Sequence, residues 1–379
     1  MSVSMWIKGM RPQTLPLALA PVLIGVAQSW MGVFEYSQGG GYDRHLPCPT
    51  FGGRPEAHGH YDDVHGACVT SMGWFLTVSV LCVCVALFLQ IAVNYANDYS
   101  DGVKGADRGR TGALGGPDGN ASGVGRAPSR LVASGVHPRR VLVAAGVSAA
   151  LACVAGLAVT VLTGYWWLVL VGVACLLAGW FYVGGRHPYG YHGWAEVFVF
   201  VFFGLVATVG TQFALTDTVS LSGIWGGVNI GLVAVAVLTV NNLRDVDEDR
   251  LHGKRTWVVR LGERGGTVLL DVLLSLAAAS ALLFLLSGAS WQNIAIGPDC
   301  GVWYPDGDLD HAVQVCDVWK YQLDVAMYWS SVVLLVLFAA MCVAAILTVH
   351  RRRFRMALPL CTLSSLVLAA MYWTLSFLR

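Results

Sequence analysis

The stretch Leu81-Cys-Val-Cys-Val-Ala-Leu-Phe-Leu-Gln-Ile-Ala-Val-Asn94-Tyr-Ala-Asn97-Asp98-Tyr-Ser-Asp101-Gly-Val-Lys104-Gly-Ala-Asp107 decides the fold class. An apolar run long enough to cross a bilayer passes without a break into a patch of amides, carboxylates and a lysine. The pattern recurs once. The apolar run 225–243 ends in Asn241-Asn242-Leu-Arg244-Asp245-Val-Asp247-Glu248-Asp249-Arg250, with Lys254 and Arg255 close behind. Carboxylates beside hydrocarbon are costly and mark function. Two such clusters at one membrane face call for a cation to neutralise them.

The rest of the chain agrees. Of 379 residues, 56% are hydrophobic and only 12% charged, against about 25% charged in soluble domains. With a mean hydropathy of +0.61, this composition excludes an ordinary soluble domain. Crossing a bilayer takes roughly 20 apolar residues. Nine such runs are present, at about 12–34, 73–95, 140–162, 166–184, 194–215, 225–243, 266–288, 326–349 and 357–377. The expected fold is an all-α, polytopic helix bundle in one integral-membrane domain over residues 1–379. Outer insertions are expected at about 35–72 and 289–325. The first run lacks a small-residue cleavage site and reads as a span rather than a signal peptide.

Positive charge orients the bundle. With the N-terminus inside, 20 of the 24 Lys and Arg fall on inner segments, leaving Arg44, Arg54, Lys320 and Arg379 outside. That bias predicts a multi-pass protein of the cell membrane, with both acidic motifs facing the cytoplasm.

Spacing then points to chemistry. Asn97 and Asp101 are four apart and share a helical face; Asn94, Asp98 and Asp101 form an adjoining stripe; Asp245 and Asp249 are again four apart. Magnesium takes one or two protein carboxylates together with phosphate oxygens and water. If the two helices pack side by side, their acids clamp a diphosphate through metal bridges. Lys104, Arg130, Lys254 and Arg255 lie beside these acids and suit phosphate oxygens. They equally satisfy the positive-inside rule, as Arg351-Arg352-Arg353 does. Glu196, at the start of a span, is either a functional acid or the dipole partner of its helix. The Gly-rich segment 102–130 is either a lid over a headgroup or a plain linker. In the outer segments, Cys48 would pair with Cys68 and Cys300 with Cys316 in an oxidising space, or all four remain free thiols. His58, His60, Asp62, Asp63 and His65 match no closed zinc pattern, which favours a structural role.

Taken together, Asn97-Asp98-Tyr-Ser-Asp101 and Asp245-Val-Asp-Glu-Asp249 with Gly253-Lys254-Arg255-Thr256 resemble the UbiA superfamily of intramembrane aromatic prenyltransferases. Four further stretches resemble its menaquinone branch, which acts on 1,4-dihydroxy-2-naphthoate: Trp6-Ile-Lys-Gly-Met-Arg11-Pro12-Gln-Thr14-Leu-Pro16, Arg130-Leu-Val-Ala-Ser-Gly135, Pro188-Tyr-Gly-Tyr-His-Gly, and Val197-Phe-Val-Phe-Val-Phe-Phe-Gly204. The resemblance implies nine helices around a central cavity, two magnesium ions, and a prenyl tail exiting toward lipid. It implies metal handling by Asn97, Asp98, Asp101, Asp245 and Asp249. Catalytic roles would fall on Asp101, Asp107, Asp245, Asp249 and Lys254. Substrate contacts would come from Asn94, Lys104, Arg130, Tyr182, Arg186, Glu196 and Arg255. The implied reaction moves a polyprenyl chain from its diphosphate to 1,4-dihydroxy-2-naphthoate with loss of carbon dioxide, giving demethylmenaquinone. The implied partners are those two substrates and membrane lipid, with no nucleic acid. The acidic motifs alone leave open another acceptor, such as 4-hydroxybenzoate or homogentisate, and a divalent-cation transporter. Transport fits worse, because the middles of the second and sixth spans are apolar.

Overall fold

The computed structural model describes residues 3–35, 59–62, 67–70, 72–103, 131–185, 188–251, 253–287, 300–303, 313–316 and 318–377. Helices dominate. After a short helix, α1 (Val3–Gly9), come α2 (Leu15–Glu35), α3 (Met72–Val103), α4 (Pro138–Thr163), α5 (Leu168–Val183), α6 (Ala195–Thr216) and α7 (Leu221–Arg244). A short α8 (Val246–Leu251) leads into α9 (Trp257–Ser287), α10 (Val318–His350) and α11 (Phe354–Ser376). Seven of these, α3, α4, α6, α7, α9, α10 and α11, are long and apolar enough to cross a membrane among the described residues. The 21-residue α2 and the shorter apolar α5 bring the set to the nine spans expected from sequence. Two antiparallel hairpins, β1 (Gly59–Asp62) with β2 (Ala67–Thr70) and β3 (Cys300–Trp303) with β4 (Val313–Cys316), sit in the expected outer segments. In the second hairpin Cys300 and Cys316 are register partners, whereas Cys68 is opposite Tyr61. Cys48 lies outside the described residues, as do His58, Asp63 and His65.

Local chemistry sets the helix limits. Pro138 opens α4, and His137 Nδ1 accepts from the Arg139 N–H (3.3 Å). Gly164, at φ 75°, closes the helix by donating its N–H to the Thr160 carbonyl. Ser220 Oγ accepts from the Gly223 N–H (2.9 Å) at the start of α7. The spans outrun their apolar cores. The helix read as 73–95 continues to Val103, carrying the first acidic motif on regular helix. The span read from 266 begins at Trp257 and is broken by Gly262 (φ 73°, ψ 174°). Hydropathy reports where hydrocarbon ends, and backbone hydrogen bonding does not stop there.

The bundle divides into a packed side and a hollow side. The main core joins α2, α7, α9, α10 and α11 through Ile24, Ile230, Leu274, Phe338 and Tyr372, all fully buried. Helix α7 is central: 72% of its apolar window is buried, against 22–50% for the other six spans. Lipid tails are as apolar as Leu, so close backbone approach must hold such helices together. Residues Phe200–Val206 of α6 form a π-helical segment, and Gly204 there meets Gly227 and Gly231 of α7. A Cβ on Gly204 would lie 2.6 Å from the Gly227 carbonyl oxygen. On the hollow side, α4 exposes Val143, Val147, Val154 and Val161. Such an apolar face belongs in a bilayer.

Candidate active site

A cavity of about 890 Å³ occupies the hollow side, lined by Arg11 and Thr14 just before α2, by residues of α2 to α7 and by the two segments that follow α5 and α7. Cys82 and Asp101 both line it. They are nineteen residues apart on α3, about 28 Å along a helix, close to the hydrocarbon thickness. One end is polar and the rest is a groove lined mostly by Val, Leu, Ala, Gly and Phe.

The polar end collects both acidic motifs. Asn94, Asn97 and Asp101 reach it from α3, and Asn241, Asn242, Arg244, Asp245, Asp249 and Lys254 from the end of α7 and beyond. Helix α7 stops at Arg244 because Asp245 leaves helical geometry (φ −103°, ψ 12°). The Asp249 N–H still donates to the Asp245 carbonyl (2.8 Å), so the two acids keep one face across the break. Asp245 and Asp249 each have a basic neighbour. Arg244 donates from Nε and Nη2 to the two oxygens of Asp245, both at 2.9 Å. Lys254 Nζ is 2.7 Å from Asp249 Oδ1. Burial pushes the Asp249 carboxyl above the usual carboxylate range; Lys254 pulls it back, and Asp245 and Asp101 push it up again. The three acids therefore act in one field.

Tyr191 joins the two motifs. Its hydroxyl donates to Asp101 Oδ1 (3.4 Å), and Lys254 Nζ lies 5.0 Å from its ring centroid. The segment 188–193 is clipped to the start of α9. Arg255 N–H donates to the Tyr191 carbonyl (2.7 Å), Arg260 Nη2 to the His192 carbonyl (2.8 Å), and Trp257 Nε1 to the Gly193 carbonyl (2.8 Å). Sequence reasoning gave Tyr191 no role, although it stands in the Pro188-Tyr-Gly-Tyr-His-Gly stretch that carried the resemblance. Arg11, with left-handed backbone (φ 53°), also lines the cavity and was likewise passed over.

Several expected residues are placed differently. Asp98 does not line the cavity. It is 2% exposed, and its carboxylate accepts from the N–H of Leu131 (2.7 Å) and Val132 (3.5 Å), which fixes the chain where it returns toward α4. It is one residue past Asn97, so about 100° of helical rotation turns it to the flank. Asn94 lines the cavity, but its amide donates to the Met10 carbonyl (2.7 Å) and Thr14 Oγ1 (3.2 Å) and accepts from Gln90 Nε2 (3.3 Å). Glu196 is buried off the cavity as a staple: Oε1 accepts from Trp257 N–H (3.2 Å) and Asn242 Nδ2 (3.4 Å). Arg255 contributes backbone, while its exposed side chain does not line the cavity. Tyr182 does line it, its ring edge-on to Tyr189. Lys104, Asp107, Arg130 and Arg186 lie outside the described residues.

The donor set fits magnesium shared with a phosphate ligand. Asn97 Oδ1 is buried with no hydrogen-bond partner, an acceptor that a cation would complete. Among the described residues, no three His, Cys, Asp or Glu side chains converge to chelate an ion by themselves. Magnesium is held in that manner, by few carboxylates and with substrate oxygens.

Comparisons with known proteins converge on one family. Residues 64–298 match the UbiA prenyltransferase family model. The chain is 36% identical over 296 residues to a 1,4-dihydroxy-2-naphthoate octaprenyltransferase of Mycobacterium leprae, covering 78% of this chain and 82% of that one. It is 36% identical over 288 residues to the Mycobacterium tuberculosis protein of the same name, covering 76% and 80%. In fold it resembles a UbiA homologue from Aeropyrum pernix K1, with a TM-score of 0.52 and 13% identity over 96% of this chain and 97% of that one.

Proposed function

This chain belongs to the UbiA prenyltransferase family, a prenyl-transferring enzyme with several membrane spans, and from that premise we propose that it moves a polyprenyl chain from polyprenyl diphosphate to 1,4-dihydroxy-2-naphthoate. The observation that carries the reading is the meeting of Asp101, Asp245, Asp249 and Lys254 at the polar mouth of a long apolar groove. The acceptor is taken from the names of the relatives. The whole chain works as one integral-membrane unit with outer insertions. The bias of Lys and Arg toward one set of connecting segments supports a cell-membrane protein with its N-terminus and polar mouth on the cytoplasmic side.

Asn97 and Asp101 on α3, with Asp245 and Asp249 after α7, would hold two magnesium ions. Bound there, the metal would supply positive charge to offset that of the departing diphosphate. Lys254 turns a point charge toward the diphosphate oxygens, and Tyr191 holds Lys254 and Asp101 in register. The groove receives the tail and keeps water from the reacting carbon. The allylic carbon–oxygen bond breaks, and its electron pair leaves with the diphosphate. The ring carbon bearing the carboxylate bonds to the allylic carbon. Carbon dioxide then departs, and its bonding electrons restore the aromatic ring, so the first product is the quinol form of demethylmenaquinone.

The test is a purified-protein assay with magnesium, a long polyprenyl diphosphate and each of three acceptors, followed by mass. The expected result is a prenylated, decarboxylated naphthalenediol that disappears on chelation. Product only with 4-hydroxybenzoate or homogentisate would overturn the acceptor.

A further inference from the structure

Within the acidic mouth, one contact stands in the way of the metal. Arg244 engages both oxygens of Asp245, Nε to Oδ1 and Nη2 to Oδ2, each at 2.9 Å. A bidentate guanidinium is a strong partner for a carboxylate. Any cation that uses those oxygens competes with it directly.

The pair exists because of where α7 ends. Neighbouring residues inside a helix do not face one another. Asp245, at φ −103° and ψ 12°, has left the helix, and this brings its carboxylate back to the Arg244 side chain. Both residues line the cavity. Their side chains are 22% and 19% exposed, so the pair sits at the wet edge of the mouth and not in the packed core. A partly exposed pair contributes little to the fold, and opening it costs little. An incoming diphosphate offers the guanidinium an equally good bidentate partner.

We infer that Arg244 is an exchangeable counter-ion of Asp245: it holds the carboxylate until a metal diphosphate enters, then releases Asp245 to the metal and turns its guanidinium to the diphosphate. The inference rests on the metal-diphosphate reading above. The exchange gives up one ion pair, Arg244 with Asp245, and forms two, Asp245 with the metal and Arg244 with the diphosphate. Metal alone meets an occupied carboxylate, so it binds a few times less tightly than it would to a free one. Diphosphate alone meets a guanidinium already paired. Together each frees the partner the other needs, and the two bind cooperatively.

The test uses the full-length protein in detergent and Mn²⁺ as probe, followed by the electron paramagnetic resonance signal of the free ion. The variants are Arg244→Gln and Arg244→Lys. Removing the competitor in Arg244→Gln should tighten binding of Mn²⁺ alone, by up to about fivefold for a partly screened pair. The same variant should raise KM for prenyl diphosphate about tenfold or more, as loss of a charged hydrogen-bond donor does. KM for the aromatic acceptor should stay within about threefold, the usual spread of single-contact effects. Arg244→Lys, which keeps the charge and loses the fork, should fall between on both scales. The opposite signs are the signature, since a residue that merely supports the fold would weaken metal and diphosphate together. Mn²⁺ binding unchanged or weaker in Arg244→Gln, or an unchanged KM for prenyl diphosphate, overturns the exchange and leaves the function standing. Failure of the unaltered protein to bind Mn²⁺, even with prenyl diphosphate present, overturns the metal reading and the exchange together.

Discussion

Asp98 and Asn97 are adjacent in sequence, yet the fold uses them for different purposes. Period alone offered two stripes on α3, one through Asn97 and Asp101 and one through Asn94, Asp98 and Asp101, and could not rank them. The choice is made by the chain returning at Leu131, whose N–H claims the Asp98 carboxylate. A buried N–H left without an acceptor costs about 1–3 kcal/mol. Asp98→Ala should therefore lower the thermal midpoint in detergent while leaving the magnesium concentration for half-maximal activity within about twofold, since the residue is off the cavity. A strong rise in that concentration would return Asp98 to the metal set. Tyr191 shows the opposite blindness. No spacing rule gives a tyrosine in a short turn a role, because the turn is positioned by clips to Arg255, Trp257 and Arg260 from a distant part of the chain.

At the scale of elements, the spans were legible and their interfaces were not. A run of apolar residues must be a helix in lipid, where every backbone polar group has to be satisfied within its own segment. Which helices touch depends on small residues whose partners lie far off in sequence. The approach of α6 to α7 through Gly204, Gly227 and Gly231 is such a case, and the π-helical segment Phe200–Val206 lies at that contact. It also turns Phe202 and Phe203 to the cavity. Gly204→Ala puts a methyl 2.6 Å from the Gly227 carbonyl oxygen and 2.8 Å from the Gly231 Cα. The helices must separate, and overpacking of this kind costs about 1–3 kcal/mol. The expected outcome is a lower midpoint of thermal unfolding; an unchanged midpoint would mean the contact is slack. Glu196 belongs at this scale too. Its position at a span start singled it out, but the structure uses it to join α6, α7 and α9.

The whole molecule places a packed wall of helices beside a groove. Composition and the two acidic motifs made the bilayer and the polar end legible. The groove was not, because its walls come from six helices and its emptiness is a property of their arrangement. Gly146, on α4, lines the groove, and a Cβ there meets nothing within 4 Å. Gly146→Phe should fold normally and fill space the tail uses. Its kcat/KM should fall at least about tenfold for long polyprenyl diphosphates and change little for geranyl diphosphate, a difference the size of a few lost apolar contacts. Equal losses for both would place the tail elsewhere. The central claim is that the two acidic motifs form one metal-diphosphate centre, and the most direct measurement is magnesium-dependent turnover of Asp101→Ala and Asp245→Ala beside the unaltered protein. The account predicts that each single change lowers turnover at least about a hundredfold with the thermal midpoint retained, as loss of a charge-stabilising group does. Near-normal turnover in either variant would contradict it.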